Sequence, residues 1–144
     1  MGKGLFPKNL AEHIAGHGRG NQGGRWLSEG SYEAISRQLF RKVKAQRLLL
    51  EYDDARSGSF AALEDTPEDK FVVLGLVTTK RGRLENTEEL TQRIFTASRY
   101  ISRERLGISP QCGFASSIIG NNISFDGERL KLKLVVEAAQ RIWG

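Results

Sequence analysis

The sequence predicts an α/β protein built on a parallel sheet. Short apolar runs at residues 48–52, 71–77 and 106–109 alternate with longer stretches whose apolar residues recur at helical spacing. The run Phe71-Val72-Val73-Leu74-Gly75-Leu76-Val77 is apolar throughout, as strands buried on both faces are. Strand followed by helix, repeated in chain order, selects parallel pairing with right-handed crossovers.

Residues 1–30 read as a glycine-rich, irregular N-terminal segment, with seven glycines between Gly2 and Gly24. Weak helical character is confined to residues 9–15. A strand near residues 10–16 would add a fourth unit to the three that follow. Residues 31–144 read as the ordered domain. Ser31 caps a helix through about Lys44, with Ile35, Leu39, Phe40 and Val43 as its apolar stripe. Residues 48–52 form a buried strand that runs into the acidic cluster Glu51-Tyr52-Asp53-Asp54. Residues 57–67 are loop, with at most a short helix.

Residues 71–77 are the strongest strand. Asn86, with Glu89 three residues on, makes a capping-type start for a second helix, along which Leu90, Ile94, Ala97 and Ile101 repeat. A third strand over residues 106–109 stops at Pro110. Asp126 opens a final helix to Trp143, with Leu130, Leu134, Ala138 and Ile142 on its inner face.

At 144 residues the chain is long enough for one domain with a core, and 39% hydrophobic with 27% charged residues is ordinary for a soluble protein. No apolar run is long enough to span a bilayer, and the start lacks the apolar stretch of a signal peptide. A lone cysteine suits a reducing compartment, so the expected location is cytoplasmic. The net charge of +5 is concentrated in residues 1–58, with ten Lys/Arg against six Asp/Glu. The basic residues there, Arg37, Arg41, Lys42, Lys44 and Arg47 among them, have no interleaved aromatics for base stacking. They read as a solvated helix face, and neither a nucleic-acid nor a membrane partner is expected.

Polar residues at the C-terminal ends of parallel strands are where α/β folds place their chemistry. Glu51 and Asp53 end one strand, Lys80 follows the second, and Cys112 follows the third. Glu and Cys are both zinc ligands. Taken alone, Cys112 also fits a buried structural thiol, Glu51 an ion-pair partner, and Lys80 a solvated loop lysine.

Three motifs, in order, are similar to those of a known family. Leu50-Glu51-Tyr52-Asp53, Val73 to Lys80 with Leu84-Glu85, and Ser109-Pro110-Gln111-Cys112-Gly113-Phe114-Ala115-Ser116 resemble the C-terminal catalytic part of cobalamin-independent methionine synthase. The resemblance is greatest to its shorter relatives, which include epoxyalkane:coenzyme M transferases. Arg19-Gly20-Asn21, Trp26, Ser28-Glu29-Gly30, Tyr32 and the terminal Lys-Leu…Trp-Gly helix fit the same pattern.

The resemblance implies a partial (β/α)8 barrel, about its last three to four units, so that the chain looks like the C-terminal half of one. It also implies a zinc at the strand ends, a small thiol substrate such as homocysteine, and a methyl or alkyl donor. Metal binding drives such a thiol toward its nucleophilic thiolate. By motif, Glu51 and Cys112 match two zinc ligands, Lys80 matches the family's proton-donating His, and Arg19, Asn21 and Asp53 fall at substrate-binding positions. Where the family pattern reads His-x-Cys-Arg-Gly-Asn, this chain has Gly16-His17-Gly18-Arg19-Gly20-Asn21. Both further ligand positions are glycine, which leaves His17 between them as the candidate third ligand. Two readings stay open: a zinc-dependent thiol methyltransferase, or an inactive half-barrel that self-associates or binds a missing half.

Overall fold

The computed structural model describes residues 14–17, 21–22, 25–26, 36–53, 58–111 and 123–144, the first three stretches by backbone alone. The chain order is β1 (Ile14–His17), β2 (Asn21–Gln22), β3 (Arg25–Trp26), α1 (Ser36–Lys42), β4 (Arg47–Glu51), a 3-10 helix (Phe60–Asp65), β5 (Phe71–Val77), α2 (Thr87–Ala97), a 3-10 turn (Arg103–Arg105), β6 (Leu106–Pro110) and α3 (Phe125–Trp143). Four strands form one parallel sheet in the order β1-β4-β5-β6, and β2 with β3 makes a separate antiparallel pair. This is the parallel α/β architecture expected of a partial barrel.

Register explains which residues make the core. Leu48 pairs with Val72 and Leu50 with Leu74, and these partner in turn with Leu106 and Ile108. Side chains alternate between faces along a strand. The rows containing Leu48 and Leu50 therefore face the helices, and Leu48, Leu50, Val72, Leu74 and Leu106 are all buried there. Phe40, Leu63, Leu90, Ile94, Leu134, Ala138 and Ile142 close over them. On the opposite face, Leu49 and Val73 are only half-buried, and Arg47 lies over the Phe71 ring at 5.0 Å.

Local signals account for most element ends. Asn86 caps α2 by accepting from the Glu89 backbone N–H at 2.7 Å, and Glu88 and Glu89 complement the positive end of the helix. Ser124 caps α3 through the Gly127 N–H at 3.1 Å, which starts that helix at Phe125 rather than at Asp126.

Two expectations need correction. The final helix buries Lys131, Leu134, Ala138 and Ile142, whereas Leu130 is 51% exposed. Lys131 displaces Leu130 from the inner face because the adjoining loop offers it acceptors. Ile14 and Ala15 belong to a strand, not to a weak helix, because they pair in parallel with Arg47 and Leu48. A long-range ladder there outweighs a feeble local preference, and it draws part of the 1–30 segment into the sheet. Residues 57–67, read as loop with at most a short helix, carry a short 3-10 helix, capped when Ser59 Oγ accepts from the Ala61 N–H. The start of α1 proposed at Ser31 lies outside the described residues. Among the described residues no helix is long and apolar enough to cross a membrane.

Candidate functional site

The parallel strands end together, and their C-terminal ends gather the polar residues. Glu51 closes β4 and is buried, in the register row of Gly75 and Ser109. The next residue, Tyr52, is completely buried on the helix side, where its ring packs 4.9 Å from that of Phe60. Its backbone N–H donates to Gly75 O at 3.0 Å, carrying the β4–β5 ladder one step past the strand. That extension fixes the direction in which Asp53 leaves the sheet.

Asp53 is the hub. Its side chain is 1% exposed and that of Lys80 is 4% exposed. Lys80 Nζ lies 3.2 Å from Oδ2 and 3.4 Å from Oδ1, and Gln111 Nε2 donates to Oδ1 at 2.5 Å. A buried carboxylate is tolerated because it is paired with a cation and further hydrogen-bonded. Gln111 is held in place by its backbone, whose N–H donates to Val77 O at 3.0 Å across a register shift between β5 and β6. Gly75 lies beneath it, and a Cβ there would meet Leu50 O at 3.3 Å and Gln111 Cα at 3.5 Å. The close approach of the strands at this level therefore favours glycine.

The Asp53 carboxylate also fixes the orientation of the Gln111 amide. The NH2 group faces the anion, so the amide oxygen must point away from it. Among the described residues, Gln111 Oε1 and Thr79 Oγ1 are buried without a hydrogen-bond partner. Buried polar atoms of this kind are where an ordered water or a ligand's donor is accommodated.

Of the residues singled out from sequence, Glu51, Asp53 and Lys80 share this rim, and Asp53 and Lys80 are in contact. Cys112 and Arg19 lie outside the described residues. The backbone of Asn21 pairs with Trp26 in the small antiparallel ladder. That of His17 pairs with Leu50, in the row that alternates with Glu51, while Gly16 pairs with Leu49. No three His, Cys, Asp or Glu side chains among the described residues are grouped to hold a metal. Sequence reasoning gave no role to Gln111, although it adjoins Cys112 in a quoted motif. It equally passed over Glu85, which accepts from the Thr78 N–H at 2.9 Å behind Lys80.

Comparison with known proteins places the chain in a family. Residues 33–141 match the family model described as "Cobalamin-independent synthase, Catalytic domain". The chain is 45% identical to the uncharacterized protein YxjG of Bacillus subtilis over 150 residues, covering 96% of this chain and 40% of that protein. It is 40% identical to the uncharacterized YxjH of the same organism over 126 residues, covering 87% of this chain and 33% of YxjH. A crystal structure of a Listeria monocytogenes protein, provisionally named a vitamin-B12 independent methionine synthase, superposes with a TM-score of 0.59 at 31% identity. That match covers 80% of this chain and 33% of the Listeria protein. The chain thus spans 33 to 40% of the length of these relatives. With residues 33–141 matched by the family model and its fold superposing on that of the Listeria protein, the chain belongs to the cobalamin-independent methionine synthase family, within the catalytic domain.

Proposed function

We propose that this chain carries the strand-end rim of a thiol methyltransferase in a form that is one donor short of a zinc centre, and that alone it transfers no methyl group. A catalytic zinc takes three protein ligands and keeps a fourth position open for the thiol. By motif the chain offers Glu51 and Cys112, with glycine at positions 16 and 18. The observation that carries the reading is the β1–β4 register. The backbone of His17 is opposite Leu50, one register position before Glu51. This register, with glycine at positions 16 and 18, supports the reading that the donor set does not fit a resident zinc. What the rim retains is the Asp53–Lys80–Gln111 cluster, able to hold an ammonium group in place and to accept one more hydrogen bond.

The test is equilibrium dialysis against zinc with metal analysis, together with an assay of methyl transfer to homocysteine. The expected result is clearly less than one zinc per chain and no methionine formed. About one tightly held zinc per chain, lost in a His17→Ala variant, would overturn the proposal.

The half-buried inner row of Leu49 and Val73 favours a second reading, in which the chain acts by assembly. A parallel sheet has open edges unless it closes or is covered. Self-association or docking of further β/α units would cover both the edges and this row. Sedimentation showing only a cooperatively folded monomer would exclude this second reading.

A further inference from the structure

Lys131 is completely buried on the inner face of α3, a position where a lysine ammonium is costly unless it is paired and hydrogen-bonded. Its Nζ donates to Glu85 Oε2 at 2.9 Å and to the Arg83 carbonyl oxygen. Both acceptors lie in the connection between β5 and α2, the same segment that carries Lys80. The other Glu85 oxygen, Oε1, accepts from the Thr78 N–H at 2.9 Å, and Thr78 Oγ1 accepts from the Lys80 N–H at 3.2 Å. A chain of hydrogen bonds therefore runs from the last helix to the backbone of the lysine that meets Asp53.

We propose that Lys131 is a positioning residue, which through Glu85 and Thr78 fixes the β5–α2 connection so that the Lys80 ammonium stays on Asp53. An aliphatic side chain would fill the same volume under α3 with no desolvation cost, but it would bind neither the Glu85 carboxylate nor the Arg83 carbonyl. The lysine is explained by what it holds. The purpose of the device rests on the reading of Lys80 as a rim residue, whereas its geometry can be measured whether or not the protein transfers a methyl group.

Site-mapped lysine acylation of the full chain under native conditions tests the proposal, with Lys131→Met and Thr78→Val as variants. Lys70 is the internal reference. It is 6% exposed and donates to Val43 O and Ala45 O at 2.7 Å each, at the opposite end of the sheet. Both variants should acylate Lys80 about tenfold faster, the population change expected when a hydrogen bond to a charged or buried group is lost, with Lys70 unchanged. Thr78→Val leaves the Lys131–Glu85 pair intact, so it reports on the route even where Lys131→Met fails to fold. Lys70 and Lys80 rising together in Lys131→Met, or Lys80 unchanged in Thr78→Val, overturns the proposal.

Discussion

Asp53 and Lys80, 27 residues apart in sequence, form a buried ion pair at the ends of β4 and β5, with the ammonium nitrogen within 3.4 Å of both carboxylate oxygens. Removing either side chain alone takes an ion-pair partner from a group whose side chain is almost wholly buried. The pair ties together the segments that leave β4 after Glu51 and β5 after Val77.

Breaking this pair from one side should therefore be expensive. Lys80→Met and Asp53→Asn are each expected to lower unfolding free energy by about 3 kcal/mol, because the remaining charge loses its partner in a buried ion pair. The double variant should lose much less than the sum, since both charges go. Urea unfolding of the four proteins measures the coupling. Strict additivity would show that the two residues do not interact in solution.

The same cluster shows what sequence can and cannot reveal. Glu51, Asp53 and Lys80 were legible because a charged residue at the end of an apolar run marks the end of a strand. The Asn86 cap and the 71–77 strand were legible because their signals are local. Lys131 was not, because Leu130 and Lys131 are adjacent on α3 and it is the acceptors of a distant loop, the Glu85 carboxylate and the Arg83 carbonyl, that select which one turns inward. The strand Ile14–His17 was legible only as an alternative to a weak helix, placed near residues 10–16, for a similar reason. Four residues without periodicity gain their conformation from a ladder with β4, more than thirty residues away in the chain. Gln111 carries no charge, and its role emerges only once Asp53 is placed beside it.

Helix α2 depends on its cap. Asn86→Ala removes the acceptor for the Glu89 N–H and should cost about 1 kcal/mol, read as a lower melting temperature. Asn86→Asp keeps an acceptor beside the helix N-terminus and should cost little. Equal losses in the two variants would mean that the cap contributes nothing.

Asp65 gives stability a pH dependence. The hydrogen bond from Ser36 Oγ at 2.5 Å is the largest influence on its carboxyl and, with Arg37, holds its pKa below the ordinary value of 3.8, against an opposing effect of burial. A carboxylate depressed in the folded state stabilises it above the unfolded-state pKa, and that contribution fades as pH falls through the folded pKa. Asp65→Asn should thus be less stable than the parent at pH 7, and the gap should close below about pH 3.8. Denaturant midpoints across that range supply the measurement, and a gap that widens in acid would contradict the assignment.

Restoring donors at the glycine positions is the most direct challenge to the functional reading. Gly16 pairs with Leu49, two residues before Glu51 on the neighbouring strand, so position 16 follows the row alternation of Glu51, and by motif position 18 is the second ligand position of the family pattern. A Gly16→His, Gly18→Cys double variant would add an imidazole and a thiolate to Glu51 and Cys112, a four-donor shell of ordinary zinc chemistry. This variant is expected to retain about one zinc per chain after dialysis, against much less for the parent, and to lose it again when Cys112→Ser is added. Metal analysis reads the stoichiometry, and a thermal melt with and without zinc reads the linkage, because metal that binds only the folded state raises the melting temperature. If the double variant holds no more zinc than the parent, the missing donors are not what keeps the rim from binding metal.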